Sequence, residues 1–131
     1  MVGRGSVWTP AELPGFAAFE GERCVGLVTY EIAGEACEIV TIDALEEGQG
    51  IGTALLKAVV AAAREAGCGR VQLLTTNNNL RALAFYQKRG FRLVALVPGA
   101  IDEERSVKPS IPLVDSAGLP IRDELHLELS L

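Results

Sequence analysis

Cysteine is sparse and unpatterned in this chain. Cys24, Cys37 and Cys68 are odd in number, lie far apart and include no C-x-x-C pair. Such a set fits neither a disulfide framework nor a zinc site, and the three are expected to be small buried hydrophobes in a reducing compartment. Long apolar runs are also missing. The longest, residues 51–63, is interrupted by Thr53 and Lys57, and it falls short of the roughly twenty residues that a membrane-spanning helix needs. Positive charge is in deficit, with 12 Lys and Arg against 17 Asp and Glu and a formal net charge of −5. That balance has the wrong sign for a general binder of nucleic acid or of an anionic membrane. Residues 1–6 lack the apolar core and small-residue cleavage site of a secretory signal, so a cytoplasmic protein is expected. No internal repeat or low-complexity tract is present. What remains is 131 residues, 49% hydrophobic and 22% charged, too apolar for disorder and long enough for one core, so residues 1–131 read as a single domain.

The first third alternates as strands do. Residues 16–20 and 24–30 flank Gly21-Glu22 and predict a hairpin. Ala33-Gly34 makes a second turn before residues 36–44, a β-branched stretch that predicts a third antiparallel strand. From Gly50 the period changes: Ile51, Ala54, Leu55, Ala58, Val59 and Ala62 recur on one helical face, and Gly67 supplies the stop. Residues 71–75 predict a short strand. Thr76-Asn77-Asn78-Asn79 then caps a second helix through Leu80, Leu83, Ala84 and Gln87, which ends at Lys88-Arg89-Gly90. Residues 91–97 predict a strand, residues 98–123 an irregular segment with one helical turn near 101–106, and residues 125–129 a closing strand.

The run Glu47-Gly48-Gln49-Gly50-Ile51-Gly52-Thr53 joins the third strand to the long helix. Glycines there allow close backbone approach, and the free N–H groups of the first helical turn favour an anion such as a phosphate. A Walker loop is excluded because Gly52 is followed by Thr53-Ala54 rather than Lys-Ser/Thr. A dinucleotide fingerprint is weak: Thr53 stands where a third glycine belongs, no acid ends the next strand, and the preceding meander is antiparallel.

A second constellation narrows the choice. In the run Asn79-Leu80-Arg81-Ala82-Leu83-Ala84-Phe85-Tyr86, followed by Gly90-Phe91, Asn79, Ala82 and Tyr86 fall on one side of a helix. Together with the glycine loop, these residues resemble the GNAT superfamily of N-acetyltransferases. Its pyrophosphate loop reads Gln/Arg-x-x-Gly-x-Gly/Ala, and its second motif reads Asn-x-x-Ala-x-x-aliphatic/aromatic-Tyr and ends in Gly-Phe. The likeness spans residues 36–97. It implies an α+β fold with a mixed, mostly antiparallel central sheet flanked by helices and a shortened N-terminal part, since only fifteen residues precede Phe16.

The resemblance also implies roles. Backbone N–H groups of Gln49, Gly50, Gly52 and Thr53 would hold the pyrophosphate of acetyl-CoA, the co-substrate, with no metal. The backbone near Thr41 and Ile42, beside a strand bulge, would pair with the pantetheine arm like an added strand. Asn79 would hydrogen-bond to the pantetheine, Ala82 and Phe85 would line the channel, and Tyr86 would stand beside the sulfur. Glu47 departs from the family pattern and puts an acid near the pyrophosphate.

The chemistry implied is direct attack of an amine on the thioester. A strand N–H near Ile42 would stabilise the oxyanion, and the Tyr86 hydroxyl would protonate the departing thiolate. An alkyl ammonium has a pKa of about 10.4 and must lose a proton first. Glu38 matches the general-base glutamate of the histone-acetylating branch, with Glu31, Asp43 or water as alternatives. His126, the only histidine, reads as an exposed residue on a half-buried strand. Residues 98–123 are expected to shape the acceptor pocket or a homodimer contact, and their acidic residues Asp102, Glu103, Glu104, Asp123 and Glu124 would suit a cationic amine. A non-catalytic module that binds acyl-CoA is the alternative.

Overall fold

The computed structural model describes residues 13–45 and 50–131. Glu47 and Gln49 lie outside the described residues. The chain runs β1 (Gly15–Glu20), β2 (Arg23–Ala33), β3 (Ala36–Ala44), α1 (Ile51–Glu65), β4 (Arg70–Thr76), α2 (Leu80–Lys88), β5 (Arg92–Val97), α3 (Ala100–Val107) and β6 (Glu124–Ser130). The strands form one six-stranded sheet in the order β1-β2-β3-β4-β6-β5, the expected α+β architecture. Among the described residues no helix is long and apolar enough to cross a membrane. The chain divides into two compact units, one reaching Val71 and including Ser130 and Leu131, the other comprising Gln72–Leu129.

In the first unit β1, β2 and β3 form an antiparallel meander. Its turns are made by Gly21 and Gly34 at φ 64° and 62°, the left-handed region that a Cβ disfavours. Strand alternation puts Gly26, Val28 and Tyr30 on one face of β2, and α1 packs there: a Cβ on Gly26 would stand 2.6 Å from Cγ2 of Ile51 and 3.0 Å from Cδ1 of Leu55. Leu55, Leu56, Val59 and Ala63 are the buried stripe of α1; of the expected face Leu55 and Val59 are buried, Ile51, Ala58 and Ala62 half-buried and Ala54 exposed, so the stripe is turned toward Leu56 and Ala63. Val28, Val59, Cys37 and Val71 are fully enclosed. Phe16 stacks on Tyr30 with ring centroids 5.8 Å apart. The helix stops as expected, with Gly67 at φ 82° and its N–H donating to the Arg64 carbonyl. One cysteine departs from expectation. Cys37 and Cys68 are buried, but Cys24 is only half-buried, because it stands near the start of β2, where its thiol donates to the Gly26 carbonyl at 3.4 Å.

In the second unit β5 and β6 pair antiparallel. Leu127, Phe91, Tyr86 and Ile101 are buried. Residues 98–123 are more ordered than one helical turn in an irregular segment. They hold the eight-residue helix α3 and a tight turn closed by a bridge between Val114 and Pro120. The helix escapes periodicity because Ile101 is its only buried residue. Asp123 accepts from the Gly99 N–H at 2.9 Å and so fixes the start of α3 from a distance in sequence. The Asp115 carboxylate accepts from Ala117 and Leu119, both at 2.9 Å.

Arg105 ties this segment together. Its guanidinium donates to the carbonyls of Ile111 at 3.0 Å, Pro112 at 2.7 Å and Ile121, and to the Asp102 carboxylate at 2.7 Å. Arg105→Ala is expected to cost about 2 kcal/mol or more, since bonds from a charged donor are the stronger kind. Arg105→Lys is expected to recover little, because one ammonium cannot reach a planar fork's set of acceptors. Urea unfolding of both variants checks this.

Candidate active site

In the first unit the glycine loop ends where α1 begins. Gly50 sits at the helix N-cap at φ 76° and ψ 6°, no side chain caps the end, and the first turn carries no acid. The leading N–H groups of an α-helix have no intrahelical acceptor and carry the positive end of its dipole. Gly50, Gly52 and Thr53 therefore stand together at an anion-favouring end.

Strand β3 carries the other residues assigned to this unit. Thr29 pairs with Thr41 while Tyr30 pairs with Ile39, so Val40 is an extra residue and β3 is bulged there. A bulge leaves one residue unpaired and bends the strand. Thr41 and Ile42 follow it directly, in the position the resemblance implies. Thr41 also shares a 2.7 Å hydroxyl hydrogen bond with buried Thr29.

The three competing carboxylates share a face. Glu31 lies directly opposite Glu38, Thr29 opposite Thr41, and Leu27 opposite Asp43. Pairing and alternation place Glu31, Glu38, Thr41 and Asp43 on the side of the meander away from α1. Glu38 is half-buried, whereas Glu31 and Asp43 are exposed.

In the second unit Asn79 caps α2. Its Oδ1 accepts from the Ala82 N–H at 3.2 Å and its Nδ2 donates to Thr75 Oγ1 at 3.2 Å. Of the run from Thr76 to Asn79, Asn79 makes the side-chain cap, whereas the side chains of Asn77 and Asn78 bond to residues 115–123. No local pattern announces partners so distant in sequence. Ala82 and Phe85 are half-buried and Tyr86 is buried. The Tyr86 ring meets Phe85 and Phe91 edge-on, with centroids 5.1 and 5.2 Å away. Arg89 lies over the Phe85 ring, 3.8 Å from its centroid, and donates to the Phe85 carbonyl at 2.8 Å. Burial pushes the Tyr86 phenol up to about 12, so at neutral pH it holds its proton.

His126 is half-exposed, with Nε2 3.1 Å from Glu124 Oε1. Among the described residues no group of three His, Cys, Asp or Glu side chains could hold a metal. The structure thus places Glu38, Thr41 and Ile42 on β3, Gly50, Gly52 and Thr53 at the start of α1, Asn79 at the cap of α2, and Ala82, Phe85 and Tyr86 on α2.

Known proteins are similar to this chain in sequence or in fold. The chain is 49% identical to the uncharacterized Bacillus subtilis protein YdhI over 115 residues, covering 87% of the chain and 72% of that protein. It is similar in structure to an IAA acetyltransferase from Bacillus cereus, with a TM-score of 0.78, 26% identity, and 92% and 79% of the two chains covered. A GNAT family acetyltransferase from Elizabethkingia anophelis, solved with acetyl-CoA bound, shares the fold at a TM-score of 0.80 and 23% identity, over 92% of this chain and 78% of that one. The family model for acetyltransferases of the GNAT family matches residues 6–91, which include both the glycine loop and the helix of Tyr86. The chain therefore belongs to the acetyltransferase (GNAT) family.

Proposed function

We propose that this chain is an N-acetyltransferase that moves the acetyl group of acetyl-CoA to a primary amine by direct attack on the thioester. The observation that carries the reading is the N-terminus of α1, which among the described residues has no side-chain cap and no acid in its first turn, and which a left-handed Gly50 opens soon after the bulged strand β3. An end of that kind suits the pyrophosphate, with the backbone N–H groups of Gln49, Gly50, Gly52 and Thr53 as donors. The backbone at Thr41 and Ile42 pairs with the pantetheine arm, and a strand N–H there stabilises the oxyanion of the tetrahedral intermediate. Asn79 serves chiefly to start α2, keeping one amide N–H for the pantetheine; Ala82 and Phe85 line the channel.

Each proton has a carrier. Glu38, or water ordered on the carboxylate-bearing face of β3, takes the proton of the acceptor ammonium. Collapse of the intermediate breaks the C–S bond, Tyr86 gives its proton to the departing sulfur, and the phenolate regains a proton as the amide nitrogen sheds its second one, directly or through water. A phenol held protonated by burial is in the right form for that step. Residues 98–123 form the acceptor side, and exposed Asp102, Glu103 and Glu104 favour a cationic amine by field rather than by contact.

Calorimetry with acetyl-CoA, followed by thiol release across polyamines, aminoglycosides, amino acids and lysine peptides, tests the reading. Binding with amine-dependent thiol release is the expected result. Binding with no release from any amine would identify a non-catalytic acyl-CoA module, and absence of binding would refute both.

A further inference from the structure

The asparagines that follow β4 join two parts of the second unit. Asn77 holds the end of the 98–123 segment: its Nδ2 donates to the Pro120 carbonyl at 2.8 Å, its Oδ1 accepts from the Arg122 and Asp123 N–H groups at 3.0 Å each, and its backbone N–H donates to the Asp123 carbonyl at 3.0 Å. Asn78 holds the turn: its Nδ2 donates to Asp115 Oδ2 at 3.0 Å, while its Oδ1 accepts from the Thr76 hydroxyl at 2.6 Å. The Asn78 carbonyl in turn accepts from the N–H of Leu80, the first residue of α2, at 2.8 Å. Asn79 then caps that helix. One residue, Asn78, thus bonds to the acceptor segment through its side chain and to the start of α2 through its backbone.

We propose that Asn77 and Asn78, with Asp115 and residues 120–123 as partners, form a clamp that couples the acceptor segment to α2. On this assignment Asn78 and Asp115 are positioning residues for Tyr86, and acceptor-induced movement of the segment is transmitted to the helix that carries the acid. The proposal rests on the reading of Tyr86 as general acid. Its physical basis is the chain of short bonds from Asp115 through Asn78 to Leu80, none of which involves a residue assigned to bind acetyl-CoA.

A charge swap tests the coupling. Asn78→Asp sets two carboxylates against each other at the Asp115 contact while leaving an acceptor for the Thr76 hydroxyl. Asn78→Asp combined with Asp115→Asn restores a donor and an acceptor, because the new amide can donate to residue 78 and keep its oxygen for the N–H groups of Ala117 and Leu119. In hydrogen exchange of the full chain, the single variant is expected to speed the amides of residues 113–123 and of residues 83–88 by about tenfold or more, the effect of losing one charge-assisted bond. The double variant is expected to return both regions to the wild-type rate. In turnover, the single variant should lower kcat with the acetyl-CoA Kd unchanged, and the double variant should recover it. Faster exchange in residues 113–123 with α2 unchanged would overturn the coupling, as would loss of protection that the swap fails to rescue, or an unchanged kcat. If wild type releases no thiol with any amine, the acetyl-transfer reading fails, while the exchange result still decides whether the clamp exists.

Discussion

Tyr86→Phe is expected to lower kcat by about a hundredfold or more, the usual scale for removing a general acid, while leaving the Kd of acetyl-CoA within about twofold of wild type. The ring remains and only the hydroxyl is lost, so the edge-on contacts with Phe85 and Phe91 persist and the helix keeps its place. The phenol of the wild type is pushed up to about 12 by burial. The defect should therefore be constant from neutral pH to about pH 10, where the wild-type group stays protonated. A change in the basic limb of the rate profile within that range would point to another acid, as would wild-type turnover by the variant.

The same shift makes a stability prediction with a definite sign. Below the ordinary tyrosine pKa of about 10 the phenol is neutral in both the folded and unfolded chain, and pH has no effect through it. Between about pH 10 and 12 the unfolded chain ionises at this residue while the folded chain, with its pKa near 12, does not. Stability is consequently lost as pH rises through that window, by up to about 2 to 3 kcal/mol for a shift of this size. Tyr86→Phe should remove that part of the alkaline loss, as measured by urea unfolding at pH 9 and pH 11.5.

Much of this site is written locally in the sequence. Of the apolar period that marks α1, Leu55 and Val59 are buried while Ala54 is exposed, and the Asn79 to Tyr86 spacing coincides with a real helix. The β-branched run 36–44 declares a strand because its residues suit a pleated surface. What stayed hidden depends on partners. The bulge at Val40 is a relation between two strands: no property of Val40 alone announces it, and it is legible only through the family resemblance. Of helix α3 only one turn, near 101–106, is legible, because a single buried residue, Ile101, makes no period and its start is fixed by Asp123 from 24 positions away. Asn77 and Asn78 look like cap residues beside Asn79, and only their distant partners show otherwise.

Gly26→Ala is expected to weaken acetyl-CoA binding by about tenfold or more and to lower Tm by several degrees. A Cβ at this position would stand 2.6 Å from Ile51 Cγ2, 3.0 Å from Leu55 Cδ1 and 3.2 Å from the Asp43 carbonyl oxygen. The carbonyl belongs to the paired strand and cannot yield, so α1 must give way. Overpacking of this kind costs about 1 to 3 kcal/mol, which in a small domain lowers Tm by roughly 2 to 8 °C per kcal/mol. The displacement falls where function is most sensitive, because Ile51 is the first residue of α1 and its movement carries the N–H groups of Gly52 and Thr53 away from the pyrophosphate. Gly21→Ala is the control: at φ 64° it is strained, yet an added Cβ meets nothing within 4 Å, and the hairpin turn bears no assigned contact. It should lower Tm without changing Kd. Equal Tm losses with an unchanged Kd in both variants would mean that the first turn of α1 does not cradle the cofactor.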